Sequence, residues 1–247
     1  MARILLGLDV GGSSIKGGLV DVDAGALLGE LQSVQTPHPA NPANVMLGVR
    51  KLAALLPSSG PVGFAFPTAI RRKRAQTAAH VDQSWIGVDG AELIRQTLGR
   101  PAAFLNDADA AGIAEMRCGA GKCVGGVVMM LTFGTGIGTA LFIDGKLVPN
   151  TELGHIELHG RDAEEWASAR VRTVEHLDFA AWSARVNEFL ARMNALFWPD
   201  LFILGGAVSE RFAEFAPLLR SPVEVVAAHF AGQAGTIGAA FAAAELV

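Results

Sequence analysis

Three short stretches carry side chains that could do chemistry together. Asn106-Asp107 closes an apolar run (102–105) and opens a helical one. That puts a carboxylate at the carboxyl end of a strand, where α/β proteins keep their crevices. Asp107 there could act as a base toward a substrate hydroxyl, with Asn106 orienting the same substrate. Either residue could equally cap the helix that follows. Two glycine-rich turns flank the pair in sequence: Gly11-Gly12-Ser13-Ser14, with Asp9 before it and Lys16 behind it, and Gly134-Thr135-Gly136, just after Thr132. Glycine lets backbone N–H groups approach a phosphate chain without a side chain in the way. One such turn is usually only a hairpin, but two in matching positions, one of them between an acid and a lysine, point to phosphate handling. Neither ends in GKS/T and neither opens a helix, which separates both from a Walker A loop and from a dinucleotide fingerprint. In this setting Asp9 would hold Mg²⁺ through water, and Lys16 would offset phosphate charge.

Glu152, His155 and Glu164 form the third group. A metal reading of Glu152, His155 and Glu157 lacks the thiolates or second histidine pair of a closed zinc site, so none is expected. Carboxylates and a neutral imidazole do suit sugar hydroxyls, which both give and accept hydrogen bonds. With Asn106 and Asp107 they describe a polyol site, while His159 and His176 read as surface residues. The run Arg71-Arg72-Lys73-Arg74 has two readings, a solvated hairpin tip or a track for a polyanion.

These residues need a scaffold to position them. Strand, glycine turn and strand recur, first over residues 3–22 and again over 126–143, each followed by alternating helices and strands. Strands are expected at 27–34, 62–66, 102–105, 146–148, 201–204 and 223–226, with two short ones around 69–70 and 75–79 flanking the basic run. Helices are expected over 43–56, 89–98, 108–116, 179–197, from 209, and over 234–246. A duplicated α/β unit with a cleft between two lobes follows. The chain has 247 residues, 51% of them apolar and 18% charged, enough for a substantial core. Its net charge of −4 argues against a general nucleic-acid binder. No apolar run is long enough to cross a bilayer and no secretory signal opens the chain, so a soluble cytoplasmic protein is expected. Cys118 and Cys123, without a CxxC pair, read as two free thiols.

DVGGSSIKGG, LNDADAAG, LTFGTGIG, ELGH and LGGAVS, in this order and spacing, resemble the ROK family of sugar kinases in the actin-like, hexokinase-type superfamily. DQSWIG, FLNDADAAGIAEMR, VPNTELGH and LFWPDLFILGG resemble more closely its bacterial polyphosphate glucokinase branch. The resemblance implies an actin-like, ribonuclease H-like duplicated fold. Its small N-terminal lobe would comprise residues 1–106 plus about 234–247, and its large lobe residues 107–233. It also implies transfer of a phosphoryl group from inorganic polyphosphate, and from ATP, to the 6-hydroxyl of glucose with Mg²⁺. Asp107 matches the catalytic base, and Asn106, Glu152, His155 and Glu164 match the sugar ligands. Gly11, Gly12, Ser13, Ser14, Thr132, Gly134, Thr135 and Gly136 fall in the phosphate loops, with Gly205-Gly206 beside the adenine site of ATP-using relatives. A homodimer is implied. The cysteine cluster that binds zinc in other ROK proteins is missing, so no structural zinc is expected, and no helix-turn-helix precedes Asp9. His80 replaces a common asparagine, and Phe64 to Thr68 replace a more glycine-containing stretch, both near the expected sugar rim. The alternatives are a strictly ATP-dependent kinase for glucose, mannose or fructose and, outside enzymes, a sugar-sensing ROK protein.

Overall fold

The computed structural model describes residues 2–79 and 81–246, and His80 lies outside the described residues. β1 (Ile4–Val10), β2 (Ser14–Asp21) and β3 (Ala26–Gln35) form a meander. There follow α1 (Pro42–Leu55), β4 (Val62–Phe66), the hairpin β5 (Ile70–Arg71) and β6 (Arg74–Ala75), α2 (Gly90–Leu98), β7 (Ala102–Asn106) and α3 (Asp107–Cys118). A second meander, β8 (Val127–Phe133), β9 (Ile137–Ile143) and β10 (Lys146–Val148), precedes the small hairpin β11 (Glu157–Leu158) and β12 (Arg161–Asp162). The chain ends with α4 (Glu164–Ala167), α5 (Ala169–Val174), α6 (Phe179–Phe197), β13 (Leu201–Gly205), α7 (Phe212–Phe215), β14 (Glu224–Ala227) and α8 (Ala234–Ala244).

Two five-stranded sheets result, ordered β3-β2-β1-β4-β7 and β10-β9-β8-β13-β14. In each, the meander is antiparallel, its first strand pairs in parallel with a fourth strand, and that strand pairs in parallel with the fifth. The repeated order is the duplicated, actin-like α/β plan. Apolar runs rather than alternation mark the inner strands because both faces are covered; all five residues of β4 and all five of β13 are buried.

By internal contacts the chain divides into two compact units, one running to Ala114 and resuming at Gln233, the other Glu115–Gly232. The first division thus falls inside α3 and not at 106/107. The physical reason is packing: Ala110 belongs to a small cluster with Ala65 and Ala239, all in the first unit. The first unit centres on Leu6, Leu8, Val49, Leu52, Phe64, Phe66 and Trp85. Its C-terminal α8 is mostly alanine and glycine, with Ile237 and Phe241 among them, and lies against the sheet. A Cβ on Gly63 would collide with the Ala239 carbonyl, and one on Gly238 with that of Ala110, so glycine is what permits this approach. The second unit packs α6 over its sheet through Trp182, Val186, Phe189 and Leu190 against Leu131, Phe133, Phe202 and Leu204.

Most expected elements are present, with three differences. The helix expected from 209 is a 3₁₀ turn, Ala207–Arg211, followed by the single turn of α7. The strands flanking the basic run are only two residues each. Residues 149–174, for which the sequence predicts no element, hold a 3₁₀ turn, a hairpin and two short helices. Cys118 and Cys123 are free thiols, and no helix among the described residues is long and apolar enough to cross a membrane.

Candidate active site

In the first unit, β1 delivers Asp9 to the sheet end where β4 and β7 also finish. Asp9, Ala65 and Leu105 lie level across these three strands, and Asn106-Asp107 come next on β7 and α3. Lys16 sits directly across from Asp9 on β2, on the same face. The intervening turn is tied down by Gly11 N donating to Ser14 O (2.9 Å) and by Thr36 Oγ1 donating to Gly11 O (2.7 Å). Gly12 and Ser13 are exposed, and nothing lies within 4 Å of where a Gly12 Cβ would stand. The turn is therefore open to an approaching anion.

Asp9 keeps part of its surface accessible, but protein crowds its carboxylate; a Cβ on Gly235 at the start of α8 would come to 2.6 Å from Oδ2. Burial first, and then the Asp107 charge, push its pKa up to about 7, while Lys16 pulls the other way. The two acids are thus within electrostatic reach of each other. This donor set fits Mg²⁺, which is held by one or two carboxylates plus waters and phosphate oxygens and needs no all-protein cage. Among the described residues no group of three or more His, Cys, Asp or Glu is arranged to hold a metal.

The capping role open to both Asn106 and Asp107 falls to Asn106. Asn106 is the helix cap: it is buried, and its Oδ1 accepts from Ala108 N (2.9 Å) and Asp109 N (3.1 Å). Its Nδ2 donates to Thr68 O at 3.1 Å. Asp107 is the first residue of α3, partly exposed, with Oδ1 accepting from Ala108 N (2.9 Å), at a helix end that favours an anion.

In the second unit, Gly134 N donates to Gly136 O (3.0 Å), closing the second glycine turn. Ile137 N, just past it, donates to Glu164 Oε2 at 3.2 Å. Gly205 pairs with Thr132, and a Cβ on Gly206, whose φ is +84°, would meet the Phe133 carbonyl. Thr132, Gly134 to Gly136, Glu164, Gly205 and Gly206 are therefore gathered at one end of this sheet. Glu152 precedes and His155 ends the 3₁₀ turn Leu153–His155, which Thr139 pins to β9 by accepting from Leu153 N (3.1 Å). His155 Nδ1 lies 2.7 Å from Asp162 Oδ2, and Nε2 lies 4.0 Å from Glu152 Oε2.

Asp162 is the residue the sequence reading misses; its only signal is that it lies seven positions past the histidine, in a charged stretch. Its hydrogen bond to His155, aided by the charges of Glu164 and Glu152, raises the imidazole pKa against the opposing effect of burial. Because the value is raised, the pair's contribution to stability is complete below the ordinary histidine pKa and is lost as pH rises through the raised one. Asp162→Asn should therefore bring the His155 titration midpoint, followed by NMR, down toward the ordinary value. An unmoved midpoint would mean that the contact does not hold in solution.

The chain matches the ROK family over residues 5–171. It is 44% identical to the polyphosphate glucokinase of Mycobacterium tuberculosis (strain ATCC 25618 / H37Rv), over 96% of this chain and 89% of that protein. Against the polyphosphate glucokinase of Mycobacterium leprae (strain TN), identity is 42% over 96% of this chain and 73% of that one. The inorganic polyphosphate/ATP-glucomannokinase of Arthrobacter sp. strain KM superposes with a TM-score of 0.96 at 44% identity, covering 99% of this chain and 100% of the other. A Streptomyces griseus ROK glucokinase bound to glucose and AMPPNP shares the fold at TM-score 0.81 and 23% identity, covering 96% and 98%. With the family match spanning more than half of the sequence and these relatives covering nearly all of it, the chain belongs to the ROK family.

Proposed function

We propose that this chain is a polyphosphate glucokinase, moving the terminal phosphoryl group of inorganic polyphosphate, and also of ATP, to the 6-hydroxyl of glucose. The observation that carries this reading is 44% identity, over 96% of the chain, to polyphosphate glucokinases. In this reading Asn106, Glu152, His155 and Glu164 hold the sugar hydroxyls and Asp107 takes the 6-hydroxyl proton. As the oxygen–phosphorus bond forms, the bond from that phosphorus to its bridging oxygen breaks and a shortened polyphosphate leaves. Such transfer asks mainly for alignment and charge neutralisation. Gly11, Gly12, Ser13, Ser14, Thr132, Gly134, Thr135 and Gly136 offer donors to the phosphates, Lys16 offsets their charge, and Gly205-Gly206 border the nucleotide when ATP is used. Asp9 would hold Mg²⁺ through water; when bound, the ion would neutralise phosphate charge. The reading includes no structural zinc, and a cytoplasmic homodimer.

Purified protein incubated with glucose, Mg²⁺ and, in parallel, polyphosphate, ATP or GTP tests the proposal in a coupled assay for hexose 6-phosphate. Product from polyphosphate is the expected result. Product from ATP alone would reduce the protein to an ordinary hexokinase, and no product from any donor would favour a sugar sensor. Mannose belongs in the same assay, because the Arthrobacter relative at 44% identity is a glucomannokinase.

A further inference from the structure

The β5–β6 hairpin carries Arg71-Arg72-Lys73-Arg74, four consecutive cations in a chain whose net charge is −4. All four are exposed, and with Gln76 the three arginines line an open hollow of about 400 Å³. Among the described residues no carboxylate pairs with Arg71, Arg72 or Lys73. The turn itself is unusual in composition. Arg72 and Lys73 have φ of +52° and +66°, the left-handed conformation that hairpins of this type normally give to Asn-Gly. Placing two long cationic side chains there carries a conformational cost, and strain of this kind gathers at functional sites.

The hairpin is also braced. Thr68 Oγ1 donates to Thr77 O (2.7 Å), Ala69 N donates to Thr77 Oγ1 (3.0 Å), and Arg74 Nη1 donates to Gly87 O (2.6 Å). Arg74 is thus partly spent on holding the hairpin, and Arg71, Arg72 and Lys73 are presented by it. Its base grows from the carboxyl end of β4, the strand between those that carry Asp9 and Asn106, and the Thr68 carbonyl accepts from Asn106. The cationic tip is therefore tethered to the sheet end that bears the two acids.

We infer that this hairpin is an accessory docking site for the part of a polyphosphate chain that extends beyond the reacting end, so that affinity for the donor rises with its length. The inference rests on polyphosphate being the donor. Guanidinium forks match phosphate oxygens, and a polyanion releases counterions to such a patch, which makes binding salt-dependent. A nucleotide triphosphate, with three phosphates, offers such a patch far less anionic chain than a long polyphosphate does.

The test is a triple variant, Arg71→Gln, Arg72→Asn and Lys73→Gly, which removes three charges while giving the turn the residues its geometry prefers. Its melting temperature should equal or exceed that of the wild type, so a loss of donor affinity would not reflect misfolding. KM for long polyphosphate should rise about tenfold and its salt dependence flatten. KM values for tripolyphosphate, ATP and glucose should stay unchanged. Direct binding of long polyphosphate and of a single-stranded oligonucleotide of equal charge is measured alongside. Equal losses for polyphosphate and ATP, or none for either, would overturn the site. Equal binding of the oligonucleotide, lost in parallel, would make the patch a nucleic-acid contact instead. If the wild type binds long polyphosphate through the hairpin without consuming it, the donor reading fails and the site stands. If the variant consumes it as well as the wild type, the reverse holds.

Discussion

Asp107→Asn should cut turnover with either donor by about a hundredfold or more while leaving glucose binding measurable. The amide has nearly the shape of the carboxylate and can still accept from Ala108 N, so the first turn of α3 should persist. What the amide lacks is the capacity to take a proton from a hydroxyl as the new bond forms. A second, independent readout comes from Asp9, whose pKa stands at about 7 partly because Asp107 is charged. Removing that charge should move the Asp9 titration downward, toward but not reaching the ordinary aspartate value, since burial remains the larger cause. Lost turnover with a lowered Asp9 midpoint is the signature of a base beside a second acid. Turnover within a few fold of the wild type would end the assignment, and an unmoved Asp9 midpoint would place the two carboxylates too far apart to matter to each other.

Where the sequence speaks clearly, a polar residue stands at or one short of the end of a strand. Asp9, Asn106-Asp107 and Thr132 each follow an apolar run; for Asp9 and Thr132 the run marks an inner strand, while β7, which carries Asn106, lies at the edge of its sheet and is only partly buried. The duplication is legible for the same reason, because glycine turns punctuate both meanders at matching points. Asn106 shows the limit of this reasoning. Its two possible roles can be stated from sequence, but only the placement of Ala108 N and Asp109 N against its Oδ1 shows that it caps the helix. Asp162 lies beyond that limit, since β11 and β12 have two residues each, too few for any periodic signal. The division inside α3 is hidden as well, because what ties its early turns to the first unit is Ala110 against Ala65 and Ala239, remote in sequence and individually nondescript.

Glu115 is a still deeper case, and its replacement should produce the largest loss of stability. Read along the sequence it is one acid in an alanine-rich helix, but in the structure it is fully buried. Its Oε2 accepts from Ala120 N (2.9 Å) and His229 N (3.0 Å), and its Oε1 from Phe230 N (2.8 Å). Its main-chain carbonyl takes Gly119 N and Gly121 N as well, ending α3. One side chain therefore fastens the end of that helix to the loop after β14, close to both points where the chain passes between the two units. Glu115→Ala would leave three amides without their acceptor and should cost about 3 kcal/mol or more in equilibrium unfolding by denaturant. Glu115→Gln keeps the shape but turns an NH₂ toward at least one N–H donor, so it should fall between the wild type and the alanine variant. An exposed carboxylate gives the contrast: Glu92→Ala, which removes a pair with Arg95 on the surface of α2, should barely move the midpoint. Glu115→Ala falling as little as Glu92→Ala would mean that water replaces the carboxylate and that this junction is not held by it.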